Sequence, residues 1–257
     1  MQRYFVGPEQ VGPDQVVLEG DDARHLATVM RARAGEEFIA CDGSGSETLA
    51  KIVSIEPGRI AASVVERRPS LAEMSWRVTV AQSLPKGDKL ETVIQKGTEA
   101  GAAAFRPFLS KRTVVQYDER KEAKRLERWR KIAKEAAEQA HRGLVPEIAA
   151  VCSWKSLVES MTRYDLTLIC YEEEGRRGTG LRTALSSFRL GFAGDAERSP
   201  RVLLVVGPEG GFDPLEVEQA VGAGAVPVGL GRRILRTETA ALVALACVAY
   251  ESGELGG

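Results

Sequence analysis

The stretch Arg201-Val202-Leu203-Leu204-Val205-Val206 runs without a break into Gly207-Pro208-Glu209-Gly210-Gly211-Phe212, and then into Asp213-Pro214-Leu215-Glu216-Val217. The unbroken apolar run behind Arg201 reads as a strand buried on both faces, the mark of a parallel sheet. Three glycines and a proline in the next six residues set an irregular backbone path and keep side chains away from a bound molecule. A well-specified helix start follows. Asp213 suits the N-cap, Pro214 the first helical position, and Glu216 the third position of a capping box, while Phe212 and Val217 are spaced for a hydrophobic staple. A loop held between a buried strand and a pinned helix is rigid, and in open parallel sheets such strand ends are where ligands bind.

Working outward, the same strand–helix rhythm extends back to about residue 76. Val78–Ser83, Phe105–Leu109, Leu166–Tyr171, Val202–Val206 and Ala225–Leu230 read as strands. Helices are expected at Asp88–Ala100, Glu119–His141, Leu181–Phe188, Pro214–Val221 and Glu238–Glu251. The alternation predicts an α/β fold, a mostly parallel sheet covered by helices on both faces. The first 70 residues are different: short strands at Val16–Leu18, Glu37–Ala40, Leu49–Ile55 and Ile60–Val65, with one short helix at Asp22–Arg31 capped by Asp21 or Asp22. They predict a small β-barrel over residues 1–70, and Pro69–Ser75 reads as the linker to a second domain over 71–257.

The strand-end rule picks out a second loop, Val228-Gly229-Leu230-Gly231-Arg232-Arg233-Ile234-Leu235-Arg236-Thr237-Glu238-Thr239-Ala240. Three arginines follow Gly231 within five positions, and Thr237 is the expected cap of a helix that is apolar on nearly every face. Such a helix is buried all round, inside the domain or across a dimer interface, so at least one of these arginines is expected to face a pocket or an anionic partner. No Gly-Lys-Ser/Thr follows the first loop and it lacks G-x-G-x-x-G, which excludes a Walker phosphate loop and a dinucleotide fingerprint there. Its amides and carbonyls suit a neutral heterocycle or an amino-acid moiety as well as a phosphate.

Bulk composition narrows the function less. With 44% hydrophobic residues, 28% charged and a formal net charge of −1, the chain gives no global sign of nucleic-acid binding. The start Met1-Gln2-Arg3-Tyr4-Phe5 lacks the build of a secretory signal, and the apolar run Ala240–Tyr250 is about half of the roughly 20 residues of a membrane span. A cytoplasmic protein with no membrane partner is expected. Cys41, Cys152, Cys170 and Cys247 are scattered without a C-x-x-C pair, and only His25 and His141 join them, so no metal site is expected.

The pair GPEGGF and LGRRILRTETAA resembles the signature of the bacterial ribosomal RNA uridine-N3 methyltransferases of the RsmE type, in the SPOUT superfamily. Further matching segments are His25-Leu26 with Val29-Met30-Arg31, Asp42-Gly43-Ser44, Ile94–Glu99, Ser110–Thr113, Glu138-Gln139 and Val145–Ile148, in the family's order. The resemblance implies a PUA-like N-terminal barrel that recognises RNA or the ribosome, and a SPOUT domain whose last portion threads a trefoil knot around S-adenosylmethionine. Gly207, Pro208, Glu209, Gly210 and Gly211 would form one wall of that site, and Leu230, Gly231, Ile234, Leu235, Arg236 and Thr237 the other, with Tyr171 as a third contact. Gly210→Val is then expected to crowd the pocket. The enzyme would be a homodimer that methylates N3 of a uridine in the decoding region of 16S rRNA within the small ribosomal subunit. A transfer-RNA target and a non-catalytic assembly factor are the alternatives.

Methyl transfer needs an in-line approach, and uridine N3 must lose a proton. Glu209 is a candidate to accept it, or else to brace the loop, while Arg233 or Arg236 would neutralise charge on the uracil oxygens. Methylation at pyrimidine C5 generally uses an attacking cysteine, and none lies in either loop, which favours a nitrogen or oxygen acceptor.

For RNA, the region Lys111–Arg142 carries eleven Lys/Arg against six Asp/Glu. Its helix buries Leu126, Trp129, Ala133, Ala136, Ala137 and Ala140 by spacing, leaving the basic residues as either a solvated face or a phosphate-tracking stripe. Lys111, Arg112 and Arg142 are the residues expected to reach the cleft. His141 departs from the small polar residue of the family. Residues 1–70 are acidic on balance, eight Lys/Arg against eleven Asp/Glu, with Arg24 and Arg31 the basic residues expected to touch RNA.

Overall fold

The computed structural model of the chain describes residues 1–177, 180–192 and 198–256, with the backbone alone at 119 and 175–177. It divides into two compact units, Met1–Glu73 together with Lys134–Val145, and Met74–Ala133 together with Pro146–Gly257.

The first unit contains β1 (Arg3–Phe5), β2 (Gln15–Glu19), α1 (Gly20–Arg24), β3 (Glu37–Cys41), β4 (Ser46–Glu56) and β5 (Arg59–Pro69). They form a curled five-stranded sheet in the order β1-β3-β4-β5-β2, antiparallel except for the β1–β3 pair. Alternation along the strands buries Val16, Leu18, Phe38, Ile52 and Ile60 in one apolar core. Irregularities at Leu49/Ala50 and Ile52/Ser54 bend the long hairpin.

The short helix expected at Asp22–Arg31 begins earlier, with Glu19 as N-cap rather than Asp21 or Asp22, and continues as a π-turn over His25–Val29. The wider turn is closed by Met30 N–H on the His25 carbonyl, and it leaves Arg31 in a left-handed conformation at φ 55°.

Arg142, expected to reach the cleft, is buried within the first unit. Its guanidinium is buried, 3% exposed, and grips Glu73 at 2.6 Å, whose other oxygen also accepts the Gly143 and Leu144 N–H groups. The left-handed residue after the preceding helix is His141, φ 58°, a position where glycine is the usual choice.

The second unit holds β6 (Arg77–Ser83), α2 (Lys89–Glu99), β7 (Ala104–Leu109), the first part of α3 (Glu122–Gln139), β8 (Glu147–Ile148), β9 (Cys152–Ser153), α4 (Trp154–Ser160) and β10 (Leu166–Cys170). It ends with α5 (Glu172–Arg177), α6 (Leu181–Phe192), β11 (Arg201–Val206), α7 (Pro214–Gly222), β12 (Val226–Val228) and α8 (Thr237–Glu251). All its strand pairs are parallel, in the order β12-β10-β11-β6-β7-β8, with β9 also on β7.

The apolar run at 202–206 is the buried strand it was read as, with every residue at 2% exposure or less. Each large side chain so buried contributes roughly 1.5–3 kcal/mol. The α7 start carries the full capping box: Leu215 N–H donates to Asp213 at 3.1 Å and Asp213 N–H to Glu216 at 3.0 Å. On α3, Trp129, Ala133, Ala136 and Ala137 are buried as their spacing requires and Leu126 only in part, as is Ala140 just past the helix end.

Candidate active site between two glycine-bearing strand ends

The carboxyl ends of β10, β11 and β12 open on one cavity of about 700 Å³. Its walls include Tyr171, Gly207 through Phe212, Leu230, Gly231 and Arg232 through Thr237, so every residue expected to contact a cofactor from sequence lies on it. The volume is that of a site for a nucleoside-sized ligand.

Glycine is required at specific places. Gly211 has φ +67° and Gly231 φ +107°, conformations that L side chains rarely adopt. At Gly207 the reason is packing: a Cβ would lie 3.0–3.3 Å from the Phe212 ring. At Gly210 the expected crowding is redirected, because a Cβ there faces Arg112 at 3.4 Å.

Thr237 is not the cap of α8. Arg236 holds that position, and Thr237 is the first helical residue. Its hydroxyl donates to the Gly207 carbonyl at 2.6 Å and accepts from Gln82 Nε2 at 2.8 Å. The hydroxyl is therefore spent on joining the two loops, and Gln82, at the end of β6, backs the joint. Thr237→Val removes that joint and leaves a buried carbonyl with only a 3.5 Å contact to Gln82. The expected result is a loss of about 1–2 kcal/mol, or cofactor binding weaker by roughly tenfold, read by calorimetry. Binding unchanged within twofold would refute the tie.

Glu209 has a different setting from the proton acceptor first considered. Its Oε1 accepts from Lys89 Nζ at 2.6 Å and from Lys86 N–H at 3.1 Å. Burial pushes its carboxyl upward, but the Lys89 hydrogen bond, the backbone donors at 209 and 86, and the Lys89 charge outweigh this and hold it below the usual carboxylate range. A carboxylate so committed is a weak base and a good brace, the second of the two roles considered for it.

The cations are spread around this frame. Arg232, Arg233 and Arg236 line the cavity and are exposed. Across from them Arg112 donates to the Gly210 carbonyl at 3.1 Å, while Lys111 pairs with Asp213 at 2.8 Å and donates its N–H to Glu216. Arg24 and Arg31 are exposed on the first unit, Arg24 beside Asp21 at 2.9 Å. Lys89 was missed in the sequence. The sign was available: Lys86-Gly87-Asp88-Lys89 follows the carboxyl end of β6, the strand next to β11.

Cys170 also reaches the cavity, but burial, with the nearby Cys247, pushes its thiol up to about 12, far from a thiolate nucleophile. Among the described residues no group of His, Cys, Asp or Glu is arranged to hold a metal ion, and no helix is long and apolar enough to cross a membrane.

Comparison with known proteins agrees with this geometry. Residues 72–249 match the RNA methyltransferase domain family, and residues 18–65 match the RNA methyltransferase PUA domain family. The ribosomal RNA small subunit methyltransferase E of Bacillus subtilis is 39% identical, over 100% of this chain and 99% of that protein. The protein of the same name from Synechocystis is 35% identical over 95% of this chain and 76% of its own length. The crystal structure of the Neisseria gonorrhoeae protein of that name, bound to S-adenosyl methionine, is 31% identical and superposes with a TM-score of 0.81 over 97% of both chains. With two loops joined at Thr237 into one cavity and a relative that matches from end to end at 39% identity, the chain belongs to the ribosomal RNA small subunit methyltransferase E family of RNA methyltransferases.

Proposed function

We propose that this protein transfers the methyl group of S-adenosylmethionine to N3 of a uridine in the decoding region of 16S rRNA, within the small ribosomal subunit. The observation that carries the proposal is the rigid, backbone-walled cavity with a rim of arginines, in a chain of this family. The cofactor supplies an electrophilic methyl group on a sulfonium. The protein's residues do the positioning. Gly207, Pro208, Gly210 and Gly211 offer backbone groups on one side. Leu230, Gly231, Ile234, Leu235, Arg236 and Thr237 close the other, with Tyr171 beside them.

N3 gives up its proton to solvent, which leaves negative charge shared with the ring oxygens, and the nitrogen then takes the methyl group as the methyl–sulfur bond breaks. Arg233 and Arg236 neutralise that charge, and Glu209 braces the loop. The protonated Cys170 thiol supports a nitrogen acceptor over C5, which needs a thiolate attack. Lys111 and Arg112 on the second unit and Arg24 and Arg31 on the first contact phosphates, which position RNA without reading its sequence.

We also infer a homodimer in the cytoplasm, with the C-terminal segment knotted as in the family. In the single chain α8 buries Ala241, Ala244, Leu245 and Val248 but leaves Cys247 and Tyr250 exposed, Tyr250 at 68%. That exposed side suits a second copy.

Tritiated S-adenosylmethionine and small subunits lacking the modification test the activity, and mass spectrometry of the labelled RNA locates the base. Label at uridine N3 of 16S rRNA is expected; label only in transfer RNA, or none from folded protein, refutes the proposal. Arg233→Ala is expected to lower kcat by about a hundredfold with cofactor affinity retained, as removal of one charge-stabilising donor does elsewhere. A kcat within threefold of the parent would remove Arg233 from that role.

A further inference from the structure

The two walls of the cavity approach each other at a second place, where the connection is half made. Glu209 stands on the wall that begins at Gly207, and Glu238 follows Thr237 on the other. Lys89, the first residue of α2, lies between them. Its ammonium is 2.6 Å from Glu209 Oε1 and 4.0 Å from Glu238 Oε2. Glu238 Oε2 is buried and has no hydrogen-bond partner among the described residues. A buried carboxylate oxygen without a donor is costly, and the ammonium has three donors to share. The missing bond needs only about an ångström of approach, since charge-assisted bonds form at ~2.8 Å.

We propose that Lys89 is a positioning residue of the cofactor site: cofactor binding draws the start of α8 toward it, and its ammonium then bonds Glu238 as well as Glu209 and straps the two walls together. The proposal rests on the reading of the cavity as the S-adenosylmethionine site. Neither Lys89 nor Glu238 touches the reacting atoms. The Lys89–Glu238 bond exists only in the liganded form, so its contribution appears as affinity rather than as stability of the free protein.

This gives the two measurements opposite signs. Glu238→Gln exchanges a carboxylate whose buried Oε2 lacks a donor for a neutral amide, so the free protein is expected to unfold at the same temperature or higher. The same variant is expected to bind S-adenosylmethionine about tenfold more weakly, the scale of one lost charge-assisted bond. Lys89→Met is expected to lose a similar factor, the double variant to bind no more weakly than Lys89→Met alone, and Lys89→Arg to recover most of the loss. In turnover the loss is read in the KM for the cofactor.

Calorimetric titration of the parent protein comes first. No binding there refutes the cofactor reading itself, whereas binding by the parent isolates the strap. The strap is overturned if the two single losses add in the double variant, if affinity is unchanged in Glu238→Gln, or if Glu238→Gln lowers unfolding temperature and affinity together.

Discussion

Gly207→Val is expected to bind S-adenosylmethionine at least a hundredfold more weakly than the parent, with the far-ultraviolet spectrum of a folded protein. The new Cβ would sit 3.0–3.3 Å from three atoms of the Phe212 ring. That ring has nowhere to go. It is stacked on Phe108, centroids 6.4 Å apart and 4° from parallel, and it meets Trp154 at 5.6 Å. Overpacking of this kind costs roughly 1–3 kcal/mol, and β-branching adds to it. The part able to yield is the loop, whose carbonyl at Gly207 receives the Thr237 hydroxyl. Displacing it opens the joint between the walls, so the steric cost and the lost hydrogen bond act together on the cavity. Isothermal calorimetry measures the result. A dissociation constant within threefold of the parent would show that the wall tolerates the ring's displacement, and the packing argument would fall.

Arg142→Ala is expected to destabilise the first unit by about 3 kcal/mol, the lower end of the range for removing one partner of a buried ion pair. The guanidinium is 3% exposed, whereas Glu73 is 20% exposed, and partial hydration of the abandoned carboxylate keeps the cost from being higher. Glu73 would retain the Gly143 and Leu144 N–H groups, but it would lose both guanidinium contacts. Denaturant unfolding of the full chain, followed by a probe in the first unit, checks this. If Arg142 instead served RNA, the variant would keep its stability and lose affinity with a shallower salt slope.

The fold and the walls of the cavity were legible because they are written in local rules. A strand buried on both faces, a full capping box and a cluster of glycines are patterns of neighbouring residues, and β11, α7 and the Gly207 loop follow them residue by residue. What escaped the sequence depends on partners far along the chain. Thr237 has the composition of an N-cap, yet its hydroxyl serves a carbonyl thirty positions away, so the cap falls to Arg236. Arg142 sits in a basic stretch that reads as RNA-facing, and only the approach of Glu73 shows it to be internal. Lys89 looks like an ordinary first-turn lysine until Glu209 is brought to it. The short β8 and β9 carry too few residues for any periodicity, and they are strands only because β7 offers them an edge.

The order of strands in the second unit bears on when the protein becomes active. β10 lies between β11 and β12, both of which come later in the chain, and the Thr237 tie comes later still. During synthesis, then, β10 emerges with neither of its neighbours, and the first wall exists before the second has been made. A nascent chain still short of Thr237 has a sheet edge but no closed pocket. The cavity thus closes only once Thr237 has been made, and loss of the α8 segment by early termination or proteolysis would leave it open while keeping the first unit's core residues in place.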